Sequence, residues 1–411
     1  MLLAFIGYGR LLNLILSPGK KFDLGMQAAF GLVLSVTAGG FLNLAGVISP
    51  FSIKIFIIVG ILSFLFFWLK NVRTWPMFAR KAAASIKENK IFALAVAIIC
   101  IIILARYGFA VSFFGFNGAD DHHGYMAFPA KMLQTGSLGN DPFSERRVES
   151  SLGGQYFLHA IILSATSFKN LHLTDNGLGY IILILLLAGF LIEKKAGRFL
   201  GIGAIALMTV VVSPVLNITA SYTAAVVVFL FFRLSYPFLE FKSNAPWRNA
   251  LMIALPLSTL CALKSTYIIV SVVLFVGYYF ISFRRIGDYR PLVKECIMAV
   301  MAIFIFLLPW MLSMLASSGT LLYPIFGRGY QGTAYGAFEH VVKFDLYSLL
   351  RLFFEGFNSL ITILPLIAIG IIARCVTVSE EKKFLWYIFF KFLGWRAGAD
   401  ITDGRIQFVL L

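Results

Sequence analysis

The sequence predicts an all-α, polytopic membrane bundle of about eleven transmembrane helices, and three observations carry that prediction. The chain of 411 residues is 60% hydrophobic and only 13% charged, where a soluble domain carries roughly twice that charged fraction. Apolar runs recur at lengths near the roughly 20 residues a helix needs to cross a ~30 Å hydrocarbon core, and the mean hydropathy is +0.87. Basic residues gather in every second connection, the pattern of cytoplasmic loops.

The runs fall at about 1–17, 27–48, 51–70, 91–113, 178–192, 199–216, 221–240, 249–264, 266–284, 295–315 and 350–373. A further one at 384–394 is too short to span unaided. The basic clusters are Lys20 and Lys21; Lys70, Arg73, Arg80, Lys81, Lys87 and Lys90; Lys194, Lys195 and Arg198; Lys242 and Arg248; Arg284, Arg285, Arg290 and Lys294; and Arg374, Lys382 and Lys383. With helices alternating in direction, all of these share one side, which the positive-inside rule makes the cytoplasm. The net charge of +16 is thereby explained by topology, and no nucleic-acid partner is expected. That parity requires the apolar segment 155–168 not to cross, so it is expected as a helix lying on the outer surface, with a true crossing as the competing reading.

The domain organisation follows. Residues 1–70 read as appended N-terminal helices, 71–90 as a basic cytoplasmic linker, and 91–375 as the transmembrane core with outer loops at 114–177 and 316–349. The segment 376–411 reads as a C-terminal piece, truncated or aberrant, since Gly394 to Leu411 matches neither a helix nor its neighbours in composition. The start of the chain lacks the basic n-region and small-residue cleavage site of a signal peptide. Cys100, Cys261, Cys296 and Cys375 lie within or at the ends of apolar runs, with no metal spacing and no disulfide framework, and read as packing residues.

Polar chemistry concentrates in the stretch from Gly115 to Gln155, which holds five carboxylates (Asp120, Asp121, Asp141, Glu145 and Glu149) and the pair His122-His123. A carboxylate just past a helix end suits a general base acting on an incoming hydroxyl. Two adjacent acids with a histidine also suit a divalent cation, and the same four residues equally suit an ordinary solvated turn. Arg146 and Arg147, between Glu145 and Glu149, offer guanidinium forks for a phosphate or sugar acid, or a local salt-bridge cluster that shapes the loop. Lys264 separates two apolar runs at an outer helix end. A lysine at a helix centre costs about 2.5–3.5 kcal/mol, and less near an interface, so it takes either an anionic partner such as a lipid phosphate or snorkels to the headgroups. Arg106 invites the same two readings. Arg351 and Glu355 are spaced to pair on one helix face, and the isolated His159, His172 and His340 read as structural.

Three stretches together resemble the GT-C superfamily, the multi-pass glycosyltransferases that use polyprenyl-phosphate sugars. Asp121 to Ser137 (DHHGYMAFPAKMLQTGS) resembles the outer-loop pattern of an acid, a tyrosine four residues on, and an apolar helix ending in glycine. The segment 155–168 follows as a juxtamembrane helix of that family does, and Pro309 to Pro324 (PWMLSMLASSGTLLYP) is similar to a segment opening a later outer loop. The resemblance implies Asp121 as catalytic acid with Asp120 as alternative. It also implies substrate contacts from Tyr125, His122, His123, Arg146, Arg147, Lys264, Tyr323 and Arg328. Two departures stand out: Ser313-Met314 replaces a common Arg-Asn, and Tyr222 stands where many relatives carry a second acid. The missing acid makes a divalent cation the less favoured of the two readings without removing it, and no other cofactor is implied. The implied activity is sugar transfer with inversion, on the extracytoplasmic side of a bacterial inner membrane, from a lipid-phosphate donor to a cell-envelope glycan, lipid or protein. Two alternatives are a non-catalytic transporter or flippase of lipid-linked glycans, and a polysaccharide polymerase or ligase. A transporter is expected to show discontinuous helices and a pseudo-repeat, and the sequence displays neither.

Overall fold

The computed structural model describes residues 1–17, 22–71, 90–112, 115–116, 121–139, 151–195, 197–211, 218–238, 246–264, 266–285, 289–318, 321–322, 398–402 and 405–409. Two units result, Met1–Gly332 and Thr333–Leu411. In the second, the described residues form one antiparallel hairpin that pairs Gly398–Thr402 with Arg405–Val409. Every described element of the first is helical.

Twelve α-helices make up that unit's described part: α1 Leu2–Leu16, α2 Leu24–Leu44, α3 Pro50–Asn71, α4 Lys90–Ser112, α5 Ala127–Thr135, α6 Gly154–Leu163, α7 Tyr180–Glu193, α8 Arg198–Val211, α9 Ser221–Phe238, α10 Pro246–Leu263, α11 Tyr267–Arg285 and α12 Arg290–Ser318. Ten of the expected apolar runs coincide with helices, and 350–373 lies outside the described residues. Five helical stretches among the described residues are long and apolar enough to cross a membrane: Leu24–Leu44, Pro50–Lys70, Phe168–Glu193, Tyr267–Arg284 and Arg290–Ala316. The chain is a multi-pass membrane protein. The third stretch exceeds the run seen in the sequence because a 3-10 turn at Phe168–Asn170 and a π-helical turn at Leu173–Gly179 lead without a break into α7.

Local chemistry sets the boundaries. Asp23 caps α2 by accepting the Met26 amide at 2.9 Å. Ser49 and Ser52 bond each other's amides at the head of α3, with Pro50 at the first helical position, where a missing N–H costs nothing. Gly136 closes α5 at φ 85°, the left-handed geometry glycine adopts most easily. A Cβ there would also overlap the Gly46 carbonyl in the α2–α3 turn, which is pinned further by the Ile48 amide on the Gly136 carbonyl at 2.9 Å.

Residues 1–70, expected as an appendage, belong to the same compact unit as the rest of the described helices. Helix α2 packs against α6, α7, α9, α10 and α12 as well as α1. Its small residues permit this: side chains at Gly31, Gly25 and Gly40 would run into Phe5, Leu185 and Trp310 respectively. Trp310, fully buried, donates its indole N–H to the Val36 carbonyl at 3.2 Å.

The contacts sort into two ends. At one, Arg233 of α9 donates to Asp23 at 2.5 Å and Glu193 at 2.7 Å, and to the Leu186 carbonyl at 3.1 Å. This triad lies beside Lys194 and Lys195 in the chain and joins the start of α2 to the end of α7. At the other end, the close of α2, the start of α9 and the close of α10 meet residues 121–139 and 151–155. Leu138 donates to Asn43 at 2.8 Å, and Ser151 to the Ala262 carbonyl at 3.0 Å.

Helix α6 corrects an expectation. Its ten residues rise about 15 Å, half of what a crossing needs, but it does not lie on a surface either. Gly154 through Ile162 are all buried, with α2, α5 and α10 around them. The apolarity that suggested a membrane-facing strip instead fills the protein's interior.

Candidate functional site

The π-helical turn Asp121–Met126 follows α4 and leads directly into α5. Such turns insert one residue into the helical repeat and recur at functional sites. Asp121 opens it, fully buried, with Oδ1 accepting the Ile218 amide at 3.1 Å. Tyr125, four residues on, is buried too, with its ring 6.0 Å from those of Tyr156 and His159.

A second side-chain pair closes a ring around Asp121. His159 Nδ1 lies 3.2 Å from the Tyr125 carbonyl, and its Nε2 lies 2.9 Å from Gln155 Nε2. A carbonyl only accepts, so the histidine proton resides on Nδ1 and Nε2 accepts from the Gln155 amide. Burial pushes the His159 pKa down to about 3, with the Tyr125 carbonyl opposing that shift, so the ring is neutral at physiological pH. Gln155 spends its other hydrogen on a long bond, 3.5 Å, to the Ile218 carbonyl. Ile218 is thus held by its N–H to Asp121 and by its C=O to Gln155. Its neighbour Ala220 receives the Tyr267 hydroxyl at 3.5 Å.

Asp175 grips the start of α9 just beyond. Its carboxylate accepts the Tyr222 amide at 3.0 Å, the Thr223 amide at 2.7 Å and the Thr223 hydroxyl at 2.8 Å. An acid does therefore stand at this helix start, supplied from a distant stretch rather than from position 222. A helix N-terminus favours a carboxylate through its unpaired amides and dipole, and the three bonds make Asp175 a capping residue. His172 donates Nε2–H to the Gly115 carbonyl at 2.8 Å, accepts from Asn176 at 3.2 Å, and stacks on Phe116 at 5.0 Å.

Of the other expected site residues, His122 is exposed, its ring edge-on to Phe116 at 6.5 Å. Lys264 is half-buried on the turn after α10. Its carbonyl accepts the Tyr267 amide at 3.0 Å. Through Tyr267 and Ser151 that turn reaches the 218–220 segment and the loop before α6, so Asp121, Tyr125 and the backbone bearing Lys264 gather at one end of the bundle. Asp120, Arg146, Arg147, Tyr323 and Arg328, and the side chain of His123, lie outside the described residues, as do His340, Arg351 and Glu355. Among the described residues no three His, Cys, Asp or Glu side chains gather as a metal site.

Sequence reasoning missed Gln155 and Asp175, and treated His159 as isolated. The spacing of Gln155 and His159, four apart on a helix face, is a signal that links them. Nothing local to Asp175 announces its partners 47 and 48 residues away.

These features define a class, an all-helical multi-pass membrane protein with a buried polar cluster at one end. No family model, curated protein or solved structure matches the chain.

Proposed function

We propose that the chain is a membrane glycosyltransferase of GT-C type. It would move a sugar from a polyprenyl-phosphate donor to a cell-envelope glycan, lipid or protein at the extracytoplasmic face of a bacterial inner membrane. The observation that carries the reading is Asp121: a carboxylate fixed on the Ile218 amide, with Tyr125 one turn on, at the end of the bundle opposite the Arg233 triad. The lipid-side phosphate is assigned to Lys264, with Arg146, Arg147 and Arg328 as further cations, and His122, His123 and Tyr323 as further substrate contacts.

The chemistry balances as a single displacement. Asp121 takes the proton of the acceptor hydroxyl while its oxygen attacks the anomeric carbon from the face opposite the phosphate. The carbon–oxygen bond to phosphate breaks with its electron pair, and polyprenyl phosphate leaves as an anion that needs cations more than a proton. The anomeric centre inverts. Because Asp121 is fully covered, the chain over it must part when substrates bind. That same burial favours a second reading, a transporter or flippase in which Asp121 only holds the fold together. Transfer assays with labelled polyprenyl-phosphate sugars separate the two: loss of transfer in Asp121→Asn with an unchanged melting temperature supports the transferase, and full transfer by that variant removes it.

A further inference from the structure

Glu295, in the second turn of α12, is a buried carboxyl group that the transfer chemistry does not use. It lies beside the start of α10 and the second half of α11, at the end of the bundle opposite Asp121. Three neutral groups surround it. Asn249 of α10 donates Nδ2–H to Oε2 at 3.1 Å, and the Tyr278 hydroxyl of α11 lies 3.2 Å from Oε1. The Tyr279 hydroxyl faces the same carboxyl group without completing a bond. Among the described residues no cation pairs with it. Arg248 lies over the Trp247 ring at 5.1 Å and Arg284 over the Phe280 ring at 4.6 Å, while Arg290 and Lys294 are exposed. Cys296 follows it on α12, half-buried.

An ionised carboxylate shut away from water and from cations is costly. One that accepts a hydroxyl also draws it in to about 2.5–2.7 Å, and the Tyr278 contact is well beyond that. Ser282, one turn past Tyr278, is buried and faces it, yet its hydroxyl makes no hydrogen bond. A proton on Glu295 Oε1 accounts for these observations together. The acid then donates to the Tyr278 oxygen, the Tyr278 hydrogen turns to Ser282 Oγ, and Oε2 still accepts from Asn249.

We propose that Glu295 is a proton-binding site, occupied while α11 is seated on α10 and α12 and emptied when water enters between them. The proton leaves to water, and the carboxylate left behind must be hydrated. Helix α11 suits such a movement. Much of its outer face is apolar and exposed, as at Val273, Val276 and Phe280. Ser271 ties it to the Leu257 carbonyl at 3.1 Å and Tyr267 holds its start, so the Glu295 cluster anchors its second half. The site does not depend on the transferase reading.

The test uses the full chain in nanodiscs. Infrared difference spectra of wild type against Glu295→Gln at pH 7 should show the carbonyl stretch of a protonated acid in wild type only, equally strong in sodium and in choline chloride. At pH 9 that band should disappear. Hydrogen exchange at residues 278–282, taken relative to α7, should then rise about tenfold or more in wild type and stay level in Glu295→Gln. Where the glutamine variant does not fold, Tyr278→Phe takes its place: it keeps the acid, removes the oxygen that receives its proton, and should shift the band. The proposal is overturned by the lack of a protonated-acid band at pH 7, by a band that sodium removes or that pH 9 leaves in place, or by one that Tyr278→Phe does not move. Equal exchange in wild type and Glu295→Gln at pH 9 overturns it as well.

Discussion

Replacing Asp175 tests whether the second buried acid of the cluster is a cap or a reacting group. The carboxylate receives three donors, two amides at 3.0 and 2.7 Å and a hydroxyl at 2.8 Å, and it is almost fully buried. Asp175→Ala strands all three. A lost cap costs about 0.5–2 kcal/mol and each buried unsatisfied donor about 1–3 kcal/mol, and the terms overlap because they share one side chain. A total of about 3–4 kcal/mol is expected. Asp175→Asn retains one acceptor oxygen but gives up the charge that suits a helix start, for about 1–2 kcal/mol. Denaturant unfolding in mixed micelles, followed by Trp310 fluorescence in a chain whose other tryptophans are replaced by phenylalanine, reads both. The catalytic test is the transfer activity of Asp175→Asn at a temperature where it is folded, expected within about threefold of wild type. A loss below about 1 kcal/mol for Asp175→Ala, or transfer abolished in a folded Asp175→Asn, refutes the assignment as a cap.

Three further outcomes follow from the geometry. Arg233→Met leaves Asp23 and Glu193 without their shared cation. Breaking a buried pair costs about 3–5 kcal/mol, but both acids are partly exposed, at 31% and 52%, so about 2 kcal/mol is expected in the same unfolding assay. Gly31→Ala drives a methyl into the Phe5 backbone and should lower stability by about 3 kcal/mol, read from the melt, by forcing α1 off α2. His159 gives stability a pH dependence: its folded pKa lies below the ordinary 6.5, so the unfolded chain binds a proton first and stability falls as pH drops from about 6.5 toward about 3. At pH 5 the His159 share of the loss is about 2 kcal/mol; because the buried His172 and Asp175 also contribute, it is read as the difference between wild type and His159→Gln in the stability change from pH 7.5 to pH 5.

Much of the bundle was legible in the sequence because crossing a bilayer demands long apolar runs and cytoplasmic loops collect Lys and Arg. Both are local properties, and every described helix except α5 and α6 coincides with one of the apolar runs. What was hidden depends on contacts between distant residues. An apolar ten-residue helix reads alike whether it faces lipid or, as α6 does, the protein's own interior. The apartness of residues 1–70 came from the charged linker, whereas the fit of α2 into the bundle comes from glycines meeting Phe5, Leu185 and Trp310. At the candidate site, Asp121 stood out as an acid past a helix end, while the ring of Tyr125, His159, Gln155 and Ile218 around it exists only once the helices pack. Tyr222 suggested that an acid was missing at the start of α9, and Asp175 supplies one there from another element.

The central claim, sugar transfer at Asp121, is tested most directly by a transfer assay in nanodiscs with a panel of labelled polyprenyl-phosphate sugars and cell-envelope acceptors. Wild type should transfer at least one of them with inversion, and Asp121→Asn should reduce that rate by at least 100-fold, about 2.7 kcal/mol of transition-state stabilisation, at an unchanged melting temperature. Transfer by Asp121→Asn at the wild-type rate, or retention of the anomeric configuration, contradicts the account.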